Sequence, residues 1–200
     1  MQEFWEKRYG ESVYAYGKEP NAFFQQFLET YPEKPGKLLL PGEGEGRNAV
    51  YAASLGWVTQ AFDYSTEAKA KALALAAEKQ VRIDYSVSEV ADFDFAEEQF
   101  DLVGLFFVHL PPELRQFLHR QVARSLKPGG KVVLEAFSPA QLAFDSGGPK
   151  KVEMLYDRDT LASDFADLHL ERLEEQQTEL SEGPYHSGPA AVTRLIGKKP

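Results

Sequence analysis

The chain has no cysteine. Disulfide staples, thiolate metal sites and a cysteine nucleophile are thereby removed. No histidine pair stands at the H-E-x-x-H spacing that zinc sites use, so no metal is expected. Long apolar runs are missing as well. No stretch approaches the ~20 residues that span a bilayer, and Met1 to Tyr9 is charged and aromatic, unlike a signal peptide. A soluble, cytoplasmic protein without a membrane partner is expected. Basic runs are also absent: 22 Lys and Arg are scattered among 31 Asp and Glu, giving a net charge of −9. Nucleic-acid binders need a basic face to neutralise phosphates. A nucleic-acid partner is therefore not expected, and a small-molecule substrate fits better. Oligomeric state is not legible.

What remains is an ordinary globular composition, 43% apolar and 26% charged over 200 residues, which suits a single domain. Strand-like and helix-like runs alternate, as in a parallel sheet covered on both faces. Asn21 reads as the N-cap of a helix carrying Phe23, Phe24, Phe27, Leu28 and Tyr31, ended by Pro32 and Pro35. Strands are expected at 37–40, 58–62, 82–86, 100–108 and 131–137, with helices at 47–55, from Ser65 or Thr66 to about Lys79, and from Pro111 or Pro112 onward. Lys127 to Gly130 reads as a turn. Asp157 or Asp159 caps a further helix. Two last strands, 169–180 and 190–196, are joined by a loop over 181–189 too short for a crossover, so they form an antiparallel hairpin. Ligands of such sheets lie beyond the carboxyl ends of the strands.

The first strand runs into Pro41-Gly42-Glu43-Gly44-Glu45-Gly46. Glycines there permit tight backbone angles and close approach of a ligand. A tight strand-to-helix turn without a ligand would look the same. Asp63 ends the second strand, 21 residues after Gly42, where a carboxylate can accept hydrogen bonds from both ribose hydroxyls of an adenosine. Its other reading is a helix-capping acid. Together the two features favour a nucleoside site. The dinucleotide fingerprint is G-x-G-x-x-G with a pyrophosphate on the helix N-terminus. Here the glycines run G-x-G-x-G, and Glu43 and Glu45 would repel a pyrophosphate but tolerate a cationic ligand such as S-adenosylmethionine.

The run from Leu38 to Ala49, with Gly42, Glu43, Gly44, Gly46 and Asn48, resembles motif I of the class I S-adenosylmethionine-dependent methyltransferases. Gly44-Glu45-Gly46-Arg47-Asn48-Ala49 is similar to the tellurite-resistance and thiopurine-methyltransferase-like branch. Phe100 to Val103, Phe107 to Pro111, Leu126 to Gly130 and Tyr16 to Asn21 resemble further motifs of that family, in order over nearly the whole chain. The resemblance implies an α/β, doubly wound Rossmann-like domain over residues 1–200. Residues 1–35 would be an N-terminal lid and helix, and 36–200 the core. It implies a seven-stranded sheet of order 3-2-1-4-5-7-6 with strand 7 antiparallel and helices on both faces. It also implies S-adenosylmethionine as cofactor, S-adenosylhomocysteine as product and a small-molecule methyl acceptor. The family's acid two residues before the first glycine is replaced by Leu40, and Glu43 is the residue expected to take over its contact with the methionine ammonium. The resemblance sets Glu89 and Val90 at the adenine edge. Tyr64 is either an adenine-stacking ring or ordinary packing.

Methyl transfer from a sulfonium needs alignment and exclusion of water more than a catalytic constellation. His109, after the fourth strand, is the candidate for direct participation as a base or orienting group. The alternative is a histidine that caps the following helix or bonds a loop carbonyl. Phe106 and Phe107 are candidates for a cation–π contact with the sulfonium, and one of them belongs to the core. Tyr14, Tyr16 and Asn21 are expected in a lid, and Tyr185 and His186 on the substrate side. Two alternatives stand beside the methyltransferase: a non-catalytic S-adenosylmethionine-binding protein, motivated by Leu40, and a dinucleotide-dependent oxidoreductase.

Overall fold

The computed structural model describes residues 2–31 and 34–200. Pro32, expected to end the Asn21 helix together with Pro35, lies outside the described residues. In chain order the elements are α1 (Gln2–Tyr9), α2 (Ala22–Glu29), β1 (Lys37–Pro41), α3 (Arg47–Ser54), β2 (Val58–Asp63), α4 (Thr66–Glu78), β3 (Asp84–Val87), β4 (Phe100–Phe106), α5 (Pro112–Ser125), β5 (Leu126–Phe137), α6 (Arg158–Asp164), β6 (His169–Glu182) and β7 (His186–Lys198). The seven strands form one sheet of order β3-β2-β1-β4-β5-β7-β6, with β7 antiparallel to β5. This is the expected order. Among the described residues, no helix is long and apolar enough to cross a membrane.

The chain divides into two compact units. The first runs to Phe93 and takes in Glu182–Tyr185; the second comprises Asp94–Ser181 and His186–Pro200. In the first, β1 and β2 pair in parallel from Lys37 with Val58 to Pro41 with Phe62, and β3 continues beside β2. Leu38, Leu39 and Leu40 are at most 1% exposed, so both faces of β1 are covered, as a central parallel strand requires. Each such side chain contributes roughly 2 kcal/mol on burial. The expected caps form: Asn21 accepts from Phe24 N and Ser65 from Ala68 N, at the starts of α2 and α4. Helix α1 was not expected from the sequence.

In the second unit β4 pairs with β5, and β5 with β7 from Lys131 with Lys198 to Phe137 with Val192. The expected turn at Lys127–Gly130 lies inside β5 instead. Partners shift from Phe100 with Leu126 to Leu102 with Lys131, so the turn residues bulge out of the ladder, and Lys127 Nζ bonds both Asp101 oxygens at 2.8 Å. Strand β4 is shorter than expected. It stops at Phe106 because Phe107 adopts φ +57, a conformation that a bulky residue holds only under constraint. The hairpin is longer than expected: β6 and β7 run to Glu182 and from His186, leaving a three-residue tip. Asp157 caps α6, and Asp164 at its end bonds Arg115 and His119 of α5, both at 2.7 Å.

Candidate functional site

The glycine turn leaves β1 and enters α3 in the first unit. Gly46 is the N-cap residue of α3 at φ +86, and a Cβ there would lie 2.6 Å from Ala72 Cβ of α4. Only glycine satisfies both the angle and the approach. Glu43 turns back on the helix that follows it. Its Oε1 accepts from Asn48 N and Ala49 N, both at 2.7 Å, and its Oε2 from Asn48 Nδ2 at 3.3 Å. The carboxylate therefore fills the anion position at the helix N-terminus. The protein packed around Glu43 raises its pKa to about 7, against the pull of those N–H groups and of Arg47.

Asp63, at the end of β2, faces the same turn. Its Oδ2 accepts from Gly44 N at 3.2 Å and its Oδ1 from Ser65 N at 3.0 Å. Burial lifts it to about 6. Each oxygen keeps a lone pair for a further donor, so the capping reading and the ribose reading of Asp63 are compatible. Tyr85 Oη donates to Gly44 O at 2.6 Å, fixing the turn from the β3 side. Tyr64, next to Asp63, buries its hydroxyl with no hydrogen-bond partner, as does Ser86 in β3. Orphaned buried hydroxyls are costly and call for an explanation. Asp63 at the end of β2, with a lone pair open on each oxygen beside Gly44, has what a nucleoside's ribose hydroxyls require, so the residues present fit that group. Glu89 is exposed and Val90 partly so, in a turn where Glu89 O accepts from Asp92 N and Phe93 N.

A segment of the N-terminal region, Tyr14 to Asn21 (the strap), lies on the outside of this turn. Glu45 accepts from Ala15 N at 2.7 Å and pairs with Lys71 Nζ at 2.8 Å. Its charge is thus neutralised locally, and the expected repulsion of a pyrophosphate does not come from Glu45. The obstacle to a pyrophosphate is Glu43, which already holds the helix N-terminus. Glu6 of α1 caps α4 through Ser65 Oγ and Thr66 N, both at 2.9 Å. That contact brings Tyr9 against Gly44, whose added Cβ would lie 2.9 Å from the Tyr9 hydroxyl. Tyr14 donates to Lys71 O at 3.1 Å and packs on α3 and α4 residues, an anchoring role. Tyr16 and Tyr185 stand edge to face at 6.5 Å beside Trp5 and Tyr9. Glu6, Tyr9, Lys71 and the pairing of Glu45 were not singled out by sequence. Their partners lie 26 or more residues away, and no local pattern reveals such pairs.

The second unit holds His109, Phe106 and His186. His109 Nδ1 lies 2.6 Å from Met154 O, and its Nε2 accepts from Phe137 N at 3.2 Å. A neutral ring with the proton on Nδ1 satisfies both contacts. The protein around it lowers its pKa to about 4, with His186 adding to the effect and the Met154 bond opposing it. The loop-carbonyl reading of His109 matches this geometry, and neither ring nitrogen is left over to take a proton. Phe106 is 9% exposed. His186 stands edge to face with Phe107 at 4.6 Å and Phe137 at 5.2 Å. Among the described residues no group of three or more His, Asp or Glu could hold a metal ion.

Residues 39–130 match the family model of a methyltransferase domain. No curated protein matches the chain in sequence. Several solved structures share the fold. One, from work on conversion of a disulfide bond into a thioacetal group during echinomycin biosynthesis, is 17% identical with a TM-score of 0.82, over 100% of this chain and 93% of that one. The N-methyltransferase NodS of Bradyrhizobium japonicum WM9, solved with S-adenosyl-L-homocysteine, is 14% identical with a TM-score of 0.73, over 100% and 98%. TehB of Haemophilus influenzae is 16% identical with a TM-score of 0.73, over 100% of this chain and 67% of its own.

Proposed function

We propose that this chain is an S-adenosylmethionine-dependent methyltransferase acting on a small molecule, of the tellurite-resistance and thiopurine-methyltransferase-like branch. The observation that carries the reading is Glu43 seated on the N-terminus of α3. A dinucleotide needs those N–H groups for its pyrophosphate; a ligand with an ammonium and no phosphate does not. Support comes from the methyltransferase-domain match over residues 39–130 and from the fold shared with NodS and TehB.

In this reading Asp63 accepts from the ribose hydroxyls. Glu43 faces the methionine ammonium in place of the acid absent at Leu40, which is core at 1% exposure. Gly42, Gly44 and Gly46 let the ligand approach the main chain, Asn48 orients Glu43, and Tyr64, Glu89 and Val90 border the adenine. Tyr16 and Asn21 cover the ligand and Tyr185 lies on the substrate side. When bound, S-adenosylmethionine supplies a methyl on a positively charged sulfur. The residues of the chain align the acceptor and keep water out. Phe106 offers a ring face to positive charge, and His186 lies on the acceptor side. His109 serves as a positioning residue that fixes the Phe137 and Met154 main chains, so the acceptor must arrive as a nucleophile that needs no strong base.

Calorimetric titration with S-adenosylmethionine, S-adenosylhomocysteine and NAD tests the reading. Binding of both sulfur ligands and not NAD is expected, with loss in Asp63→Ala. NAD binding, or no binding of either sulfur ligand, would overturn it. Tight binding with no turnover across thiol, amine, hydroxyl and metalloid-oxyanion acceptors would favour the non-catalytic alternative that Leu40 motivates.

A further inference from the structure

Glu182–Tyr185, the tip of the last hairpin, belongs to the first unit. Gly183, at φ +67, presses against the strap main chain. A Cβ there would lie 2.5 Å from Gly17 N and 2.8 Å from Ala15 O, so two backbones meet with no side chain between them. Beside them Glu182 spans two partners. Its Oε2 pairs with Arg47 Nη2 at 2.9 Å, with both side chains 9% exposed, and its Oε1 accepts from Asn21 Nδ2 at 3.0 Å.

Both partners lead to the glycine turn. Asn21 caps α2 with its side chain, and its N–H donates to Asn48 Oδ1 at 2.8 Å. Asn48 in turn donates to Glu43 from its main chain and its side chain. Arg47, the first residue of α3, reaches Tyr16 O at 3.4 Å. On the outer side the Arg8 guanidinium lies 3.9 Å over the Tyr185 ring, and Tyr185 Oη donates to Glu11. The strap and α1 also lie directly on the turn, through Ala15 on Glu45 and Tyr9 against Gly44. This covering lies on the turn, and Glu182 is one of its fastenings beside Glu45, Asn48 and Lys71.

We infer that Glu182 is a positioning residue of the ligand site: it latches the hairpin tip and the strap to the start of α3, and its release sets the rate at which the adenosyl ligand leaves. This rests on the methyltransferase reading above. Removing one member of a buried, hydrogen-bonded charge pair acts mainly on dissociation, and the pair here holds the cover rather than the ligand.

The test compares wild type with Glu182→Gln, which keeps an acceptor for Asn21 but removes the charge opposite Arg47, and with Glu182→Asp as the conservative rescue. Two readouts are used. Hydrogen exchange without ligand follows the amides of Ala15 and Asn21 against those of β1. Stopped-flow displacement of S-adenosylhomocysteine follows Trp5, which stacks on Tyr9 at 5.4 Å, in a Trp57→Phe background. The latch predicts faster exchange at Ala15 and Asn21 with β1 protection unchanged, and a dissociation rate raised roughly tenfold, both partly restored by Glu182→Asp. Strap exchange within twofold of wild type would overturn the latch, whatever the ligand does. Faster strap exchange with an unchanged dissociation rate would overturn its control of the ligand. Exchange that rises equally in β1 would make Glu182 a general fold residue and overturn the inference as well. Should Glu182→Gln not fold, Arg47→Lys, which keeps the charge but loses the second N–H contact to Tyr16, is read by the same criteria. Failure of wild type to bind S-adenosylhomocysteine would count against the methyltransferase reading, while the exchange data still decide the latch.

Discussion

The two units hold their ionisable groups in opposite ways. In the first, Glu43 and Asp63 are carboxyls lifted to about 7 and about 6 by burial, yet each accepts main-chain N–H groups that favour the charged form. At neutral pH Glu43 sits near its midpoint and Asp63 is mostly ionised, and both keep lone pairs for a ligand. In the second, His109 is lowered to about 4, spends both nitrogens on main-chain partners and lies among the Phe137 and Tyr156 rings. In the proposed reading the first unit recognises a polar, cationic nucleoside, and the aromatic groups around His109 in the second set apolar shape. That division suits a displacement in which recognition of the donor demands charge and alignment of the acceptor does not.

The strongest break in this comparison is Asp63→Ala. A hydrogen bond to a charged acceptor contributes about 1.5–3 kcal/mol, and two ribose hydroxyls make two of them. S-adenosylhomocysteine affinity should fall by at least ~100-fold in calorimetry, with the circular dichroism spectrum unchanged. Retained affinity would mean that Asp63 serves only the turn. Glu43→Gln should cost less, about tenfold in affinity for one charged contact. Its melting temperature should stay close to that of wild type, because Gln keeps an acceptor for Asn48 N and Ala49 N and the carboxyl it replaces is already about half protonated at neutral pH. A lower melting temperature with unchanged affinity would leave Glu43 as a cap alone and return the Leu40 departure to prominence.

The site was legible where its signals are local. The G-x-G-x-G run, Asp63 at the end of an apolar strand, and the Asn21 and Ser65 caps each declare themselves within a few residues, and the alternation of elements shows a parallel sheet with a closing hairpin, while the strand order comes only with the family resemblance. Contacts made across sequence were hidden. Helix α1 carries few apolar residues in Gln2–Tyr9 and is fixed by Glu6 reaching Thr66. Glu45 looks like a repelling charge until Lys71 and Ala15 are found beside it. The 181–189 stretch reads as the loop of a hairpin, but the tip tightens to three residues where Gly183 meets Gly17. The left-handed Phe107 has no sequence signal, since nothing in an aromatic residue announces a positive φ.

A gentler test of the first unit uses pH. A ligand that donates to Asp63 and brings an ammonium to Glu43 favours the ionised forms, so binding must release protons. Affinity should rise several-fold between pH 5.5 and 7.5 and level off above about 8, with calorimetric heats that depend on the buffer's ionisation enthalpy. The ligand-free protein should respond with the opposite sign. Its folded carboxyls bind protons that the unfolded chain has lost above about pH 4.5, so their contribution to stability falls as pH rises through about 7. Binding without proton release would show that neither carboxyl meets the ligand.

The smallest effect on turnover is expected from the second unit, at His109. A general base contributes ~10²–10⁴-fold, so its removal would be conspicuous. His109→Asn should instead leave kcat per folded molecule well within tenfold of wild type. The kcat profiles of wild type and His109→Asn should coincide through the usual histidine range near about 6.5, since burial keeps this imidazole neutral down to about 4. Stability should fall by about 1–3 kcal/mol, because a shorter side chain strands Met154 O or Phe137 N. The two readouts separate the roles: a positioning histidine loses melting temperature and keeps its pH profile, whereas a base keeps melting temperature and loses the alkaline-rising limb. A hundredfold fall in kcat together with loss of that limb would place a titrating group in the second unit after all, and the contrast between the units would no longer hold.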